Sequence, residues 1–230
     1  MCIESWKKYL PDYEIKEWNE DNFNVNIIPY TKEAYKAKKY AFVSDYARFW
    51  ILYNYGGLYF DTDVEVIKPM DDIIKEGPFM GCESSVEELS TSIRVAPGLG
   101  LGVDPRNGLY KELLDFYDGL SFYNENGSLN QVTIVQYTTD LLISKGLKEV
   151  NKIQEIEGVY IYPRDYFCPM DCYTGKLDIT HNTRSIHHYT ASWLSPSKKI
   201  ERYIRLKFAS LGLHHTGLIA KISNTLKKII

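Results

Sequence analysis

Between positions 40 and 66 the chain reads YAFVSDYARFWILYNYGGLYFDTDVEV, and no other stretch constrains the fold as much. Apolar side chains recur at helical spacing from Ser44, a plausible N-cap, to about Asn54, and Gly56-Gly57 breaks the helix. Residues 58–60 then read as a short buried strand that delivers the triplet Asp61-Thr62-Asp63. Two carboxylates two residues apart at the end of a buried strand lose hydration and repel each other, so the arrangement is costly unless a cation sits between them. The simplest such cation is a divalent metal. Hard oxygen ligands suit Mg²⁺ or Mn²⁺, whose shells are usually completed by water and substrate phosphates. The segment therefore reads as a metal–phosphate site, and a sugar nucleotide is the phosphate compound it suits best.

The flanking sequence alternates between helical and strand patterns. Helices are expected at 2–10, 31–40, 108–117 and 132–144, the first ended by Pro11 and the last capped by Gly146. Strands are expected at 13–18, 58–60 with a continuation at 64–67, 79–83, 159–163 and 184–189. Residues 96–102 (APGLGLG) read as a glycine-rich turn. Such alternation argues for an α/β domain with a mainly parallel sheet.

With 230 residues and a net charge of −3, the chain has room for one large α/β domain and no basic balance that would suit nucleic acid. Cys2, Cys82, Cys168 and Cys172 give no disulfide framework, and C-x3-C without a second pair is poor zinc spacing, so reduced thiols of a cytosolic protein are expected. The N-terminal residues lack the apolar core of a signal peptide, and no stretch is long and apolar enough to span a bilayer. From 196 to 230 the composition changes: eight basic residues stand against the single acid Glu201. Ile200, Tyr203, Ile204 and Phe208, then Leu218, Ile219, Ile222 and Leu226, fall at helical spacing. This basic amphipathic tail reads equally as a peripheral membrane contact or as a helix packed on the domain with a solvated basic face.

Asp45 and Arg48 are three apart and share a helix face beside an apolar stripe of Tyr46, Phe49, Trp50 and Tyr53. Alone they would be an ordinary surface salt bridge. Their fixed distance from the acidic triplet changes that reading, because a helix packed beside the strand brings its polar residues to the same strand end, where ligands of open α/β sheets gather.

The run Ser44-Asp45-x-x-Arg48, Gly56-Gly57, Tyr59 and Asp61-x-Asp63 resembles the signature of the DXD sugar-binding-region glycosyltransferases, glycosyltransferase family 32, which includes capsular polysaccharide transferases and mannosyltransferases. The resemblance covers most of Cys2 to Trp193 and not the tail. It implies an α/β fold of the GT-A-like kind, a nucleotide-sugar-binding Rossmann-type sheet with flanking helices over 1–195, followed by the basic helical tail 196–230. Relatives usually begin with a further strand that precedes the segment starting here at Cys2. The implied activity is retaining transfer of a sugar from a nucleotide-sugar donor (UDP-sugar or GDP-sugar), with Mn²⁺ or Mg²⁺, to a glycan or glycolipid acceptor in surface polysaccharide biosynthesis. The implied place is the cytoplasm, with peripheral contact at the inner face of the plasma membrane through 196–230.

By that resemblance Asp45, Arg48, Asp61 and Asp63 form the catalytic set. Asp63 ligates the metal directly. Asp61 contacts the ribose or donor sugar and the metal's water shell. Asp45 and Arg48 hold the donor's sugar hydroxyls, and Ser192 and Trp193 close over the nucleotide phosphates. His187 and His188 are candidates to complete the metal site. Neighbouring side chains on a strand face opposite ways, so only one should point at the metal, and the spacing to Trp193 favours His187. Two other readings stay open. A haloacid-dehalogenase-type phosphohydrolase also uses D-x-D after an apolar strand, but its motif expects Thr where this chain has Glu65. The other is an inactive sugar-binding module.

Overall fold

The computed structural model describes residues 2–83, 93–190 and 196–210. Its helices are α1 (Cys2–Tyr9), α2 (Pro29–Lys36), α3 (Tyr40–Tyr55), α4 (Asp71–Glu76), α5 (Gly108–Asp118), α6 (Ile134–Ser144), α7 (Arg164–Phe167) and α8 (Pro196–Ser210). Its strands are β1 (Gly57–Tyr59), β2 (Val64–Val66), β3 (Phe79–Glu83), β4 (Arg94–Val95), β5 (Leu101–Val103), β6 (Gln154–Ile156), β7 (Val159–Tyr162) and β8 (Ser185–His187). The main sheet runs β1-β5-β3-β7-β6, with β4 paired to the end of β3, and β2 pairs with β8 in a separate ribbon.

Period-two alternation divides the core into two layers. Met80 and Cys82 of β3, Leu101 and Val103 of β5, and Val159 and Ile161 of β7 face α2, α3, α5 and α6. Phe79 and Tyr162, on the opposite face, pack with Val66, Met70, Ile73, Leu99 and Phe167. The result is a mixed α/β architecture with helices on both sides of a central sheet. The expected mainly parallel sheet is corrected: only β3 and β7 run parallel, and every other neighbouring pair is antiparallel. The parallel pair β3 and β7 has the crossover connection that such a pair needs, through α5 and α6. The strands β6 and β7 are joined by Glu157 and Gly158, both at positive φ (51° and 75°), the two-residue turn that forces a hairpin.

Three local expectations are also corrected. Residues 13–18 form no strand; Tyr13 and Ile15 stay exposed, while Trp18 turns back to pack on Trp50 and Tyr55. Ser44 does not cap α3, which begins at Tyr40, directly after a reversal at Lys38 (φ 57°); its hydroxyl donates within the helix to Ala41 O at 2.7 Å. The glycine-rich stretch 96–102 is a turn only in its first half, since β5 starts at Leu101. Gly56 ends α3 at φ 67°, and a Cβ there would press on Pro105 Cδ at 2.7 Å, so glycine is required by both conformation and space.

The ribbon is held at its free edge by α1. Trp6 Nε1 donates to Val64 O at 2.8 Å, and Val66 N donates to Ser5 Oγ at 2.9 Å, so side chains satisfy the backbone groups a further strand would take. On the tail side, α8 lies against residues 173–175: the Arg205 guanidinium stacks over the Tyr173 ring at 4.7 Å, and Leu206 Cδ2 approaches Gly175. Among the described residues no helix is long and apolar enough to cross a membrane.

Gly102 lies opposite Phe79 across the β3–β5 pair, and its missing side chain makes room for the buried Phe79 ring, which in turn stacks on Phe167 at 5.5 Å. A Cβ on Gly102 would fall inside that ring. Gly102→Ala is expected to destabilise the protein by about 1–3 kcal/mol in urea unfolding, the usual cost of overpacking, and Phe79→Leu in the same chain to recover part of the loss.

Candidate functional site

The triplet is a turn between two sheets. Asp61 N donates to Gly98 O at 3.0 Å, Val64 N closes the turn onto Asp61 O at 2.9 Å, and His188 N donates to Asp63 O at 3.0 Å. Asp61 thereby belongs to the main sheet, where it follows β1, and Asp63 to the ribbon, where it precedes β2.

Arg48 joins α3 to this turn. It is 4% exposed, and its Nη2 donates to Asp45 Oδ1 at 2.9 Å while Nη1 stands 3.4 Å from Asp61 Oδ1. Its Nε donates to Ser44 O at 3.1 Å, and its guanidinium lies over the Tyr59 ring at 4.8 Å, with the Tyr59 hydroxyl donating to Asp61 Oδ1 at 2.9 Å. The pair Asp45–Arg48 is therefore buried and built into the site, not a solvent-side i,i+3 bridge. Burial pushes the Asp45 carboxyl up to about 6, against the pull of Arg48 and with a smaller push from Asp61. Burial works against the Arg48 charge, but Tyr59, Asp61 and Asp45 around it more than compensate and raise its pKa.

Asp63 has a different environment. Its Oδ1 lies 3.1 Å from His187 Nε2, and its Oδ2 accepts from Thr190 N at 2.8 Å and Thr190 Oγ1 at 2.9 Å. Burial alone would raise this carboxyl; the bonds from His187 and Thr190 outweigh it and hold the group well below the usual carboxylate range. The His187 ring stacks on Tyr189 with centroids 4.1 Å apart, and its buried Nδ1 has no hydrogen-bond partner. Tyr189 itself takes φ 50°, and its hydroxyl bonds Cys168 Sγ at 2.9 Å and Glu83 Oε2 at 3.4 Å. This strained residue sets the plane against which the imidazole rests.

Asp61, Asp63 and His187 each offer a ligand atom, and these atoms lie within 4.8 Å of one another. The donor set of two carboxylate oxygens and one imidazole nitrogen fits a divalent cation of the Mn²⁺ type. Gly98 lets the Asp61 carboxylate pack against the loop: a Cβ there would fall onto Asp61 Oδ2 and stand 3.3 Å from Arg48 Nη1, so a side chain at 98 would push Asp61 from its place. Of the residues singled out from the sequence, Asp45, Arg48, Asp61, Asp63 and His187 come together here. His188 points elsewhere: its Nε2 lies 2.8 Å from Glu65 Oε2, as strand alternation requires of neighbours. Ser192 and Trp193 lie outside the described residues.

Gly98, Thr190 and Tyr189 were not foreseen. Gly98 and Thr190 meet the carboxylates across more than 30 positions of sequence, and Tyr189, two positions from His187, is anchored by Cys168 and Glu83; only the glycine-rich 96–102 stretch gave a signal. Next to Arg48, a cavity of about 290 Å³ opens between Trp18, Asn19, Phe23, Tyr35, Tyr40 and Ser44. The bond from Arg48 Nε to Ser44 O links its wall to the carboxylate cluster.

Two outcomes follow from this geometry. Gly98→Ala should displace the Asp61 carboxylate and weaken Mn²⁺ binding measured by calorimetry, while far-ultraviolet circular dichroism stays unchanged. For Asp45, a folded-state pKa above the ordinary 3.8 means that the native state prefers the proton, so its contribution to stability falls as pH rises from about 4 to about 6. Relative to Asp45→Asn, the wild type should lose up to about 3 kcal/mol over that window in denaturant unfolding, the linkage value of such a shift.

Comparison with known proteins meets this geometry at the same residues. Residues 1–80 match the family described as glycosyltransferase sugar-binding region containing DXD motif. The chain is also 32% identical over 69 residues to inositol phosphoceramide mannosyltransferase 1 of Schizosaccharomyces pombe, covering 30% of this chain and 20% of that protein. It thus spans about one fifth of the length of this curated relative. No solved structure gives a match. Residues 1–80 run from α1 to the start of β3 and carry the Arg48–Asp61–Asp63 arrangement, so over this segment the chain is similar to the DXD glycosyltransferases.

Proposed function

We propose that this chain is a metal-dependent, retaining glycosyltransferase with a GT-A-like nucleotide-binding layer, taking its sugar from a UDP-sugar or GDP-sugar and passing it to a glycan or glycolipid hydroxyl. The observation that carries the reading is the meeting of a fixed guanidinium with three metal-donor side chains, Asp61 and Asp63 from one turn and His187 from β8. Each group then has a task. Asp61, Asp63 and His187 hold Mn²⁺ or Mg²⁺, which when bound supplies positive charge against the diphosphate leaving group. Arg48, immobilised by Asp45 and Ser44, presents its remaining hydrogen-bonding edge beside Asp61 and orients the donor sugar. The aromatic cavity beside Ser44 receives the base, with Trp18, Tyr35 and Tyr40 as stacking surfaces.

Retention follows from front-face substitution. The acceptor oxygen bonds to the anomeric carbon on the side from which the diphosphate departs, and its proton passes to the departing phosphate oxygen. No protein nucleophile is needed. Asp45, tied to Arg48, serves to hold that guanidinium in place. Surface polysaccharide synthesis at the cytoplasmic face of a membrane is the setting that suits such an enzyme. The outward side of α8, with Ile200 and Tyr203 exposed among lysines, supports a peripheral membrane contact.

Titration of UDP and GDP with and without Mn²⁺ tests the reading. Binding should require the metal, and Asp63→Ala should weaken it by roughly 100-fold or more with the fold intact. Unchanged Mn²⁺ dependence in that variant would remove Asp63 from the metal site. Arg48→Lys keeps the charge and loses the forked geometry, so it should weaken sugar-nucleotide binding more than nucleoside-diphosphate binding. An equal loss for both ligands would assign Arg48 to phosphate or to structure.

A further inference from the structure

Tyr189 is held in the left-handed region, at φ 50°, two residues after His187, the last residue of β8. Side chains with a Cβ avoid that region, bulky ones most of all, so the surrounding structure has to enforce it. Three contacts hold the residue there. Its hydroxyl bonds Cys168 Sγ at 2.9 Å, just past the end of α7, and donates to Glu83 Oε2 at 3.4 Å, at the end of β3. Its ring lies against the His187 imidazole, with centroids 4.1 Å apart and planes inclined by 40°. The residue that follows, Thr190, gives both its backbone N–H and its hydroxyl to Asp63 Oδ2, at 2.8 and 2.9 Å. One reversal of the chain therefore serves two of the three metal-donor side chains.

A ligating imidazole is ordinarily aimed by a hydrogen bond from its second nitrogen to a carboxylate, a carbonyl or water. His187 lacks that device: among the described residues its buried Nδ1 has no hydrogen-bond partner. With Nε2 directed at Asp63 and Nδ1 unpaired, the rotation of the ring is left to packing, and Tyr189 is the aromatic wall on which it packs. The wall is anchored outside the ribbon. Glu83 belongs to the main sheet, whereas His187 belongs to the β2–β8 pair. The contact thus ties the ribbon to the main sheet on the imidazole side, as the 61–63 turn does on the carboxylate side. A reversal alone would be served better by glycine or asparagine, which take positive φ at small cost.

We propose that Tyr189 is a positioning residue for the metal site: anchored by Cys168 and Glu83, its ring sets the rotation of the His187 imidazole, and its reversed backbone delivers Thr190 to Asp63. This rests on the reading of Asp61, Asp63 and His187 as metal ligands and adds the residue that aims two of them. Tyr189 acts through His187 and Thr190 and needs no contact with substrate.

The test uses the full chain, Mn²⁺ alone as the probe, and the variants Tyr189→Asn and Tyr189→Phe. Asparagine keeps the reversed backbone, and with it the bonds from Thr190 to Asp63, but removes the ring. Tyr189→Asn should weaken Mn²⁺ binding in calorimetric titration by about tenfold or more, the range expected when a residue behind a metal ligand is lost. Tyr189→Phe keeps the ring and frees it from Cys168 and Glu83, so its affinity should fall between Tyr189→Asn and the wild type. The electron paramagnetic resonance line of Mn²⁺ at saturation should broaden in both, which a mere loss of stability would not produce. In the metal-free protein the His187 ring-proton resonances, assigned by their absence from His187→Gln, should shift in Tyr189→Phe. Wild-type affinity and line shape in Tyr189→Asn would make the residue a backbone turn only and overturn the proposal. Should Tyr189→Asn fail to fold by circular dichroism, Tyr189→Phe decides alone, and unchanged affinity with unchanged His187 resonances overturns it. If the wild type binds no Mn²⁺, it is the metal reading that fails, and the resonances still decide whether Tyr189 holds the imidazole.

Discussion

The buried Arg48 guanidinium is the contact on which the site depends. It is fixed from its own helix by Asp45 and by the carbonyl of Ser44, and it meets Asp61 across the boundary between α3 and the turn. Removing either carboxylate would leave a buried charge poorly compensated, and breaking a buried pair of this kind costs about 3–5 kcal/mol. The helix and the acidic turn are thus held in register by electrostatics in a dry environment. Apolar packing of Val43, Tyr46, Phe49 and Leu52 sets only the rough position of α3.

The second constraint is the passage of the chain from one sheet to another within three residues. Asp61 takes its backbone partner from the Gly98 loop and Asp63 from β8, so the two carboxylates belong to different structural units that share one turn. Their environments differ accordingly. Asp61 faces cations and a tyrosine hydroxyl, while Asp63 is gripped by Thr190 and His187. Placing a metal-donor pair at a junction lets the main sheet and the ribbon each contribute a ligand, and α1 steadies the ribbon through Trp6 and Ser5.

Both layers of the core serve this junction. Helices α3 and α5 press the aromatic layer of Phe49, Tyr110 and Tyr117 against one face of the sheet. On the other, Phe79 fills the space above Gly102, and Leu99 sits in the turn that carries Gly98. Interiors packed at this density transmit small displacements, so the position of Asp61 depends on side chains distant from it in sequence.

Much of the site was legible because its parts are local. Ser44, Asp45, Arg48, Gly56, Tyr59, Asp61 and Asp63 fall within one helix, one break, one strand and the turn that follows it, where short spacing keeps them together. Strand alternation likewise separated His187 from His188, since it needs no knowledge of the partner strand. What the chain's order could not reveal was which strands would pair. The mixed sheet, the failure of 13–18 to form a strand, and the approach of Gly98 and Thr190 to the carboxylates all depend on contacts between distant segments. Local propensity acts through neighbours along the chain, whereas register and facing are chosen by the burial of surfaces that meet only in the folded state.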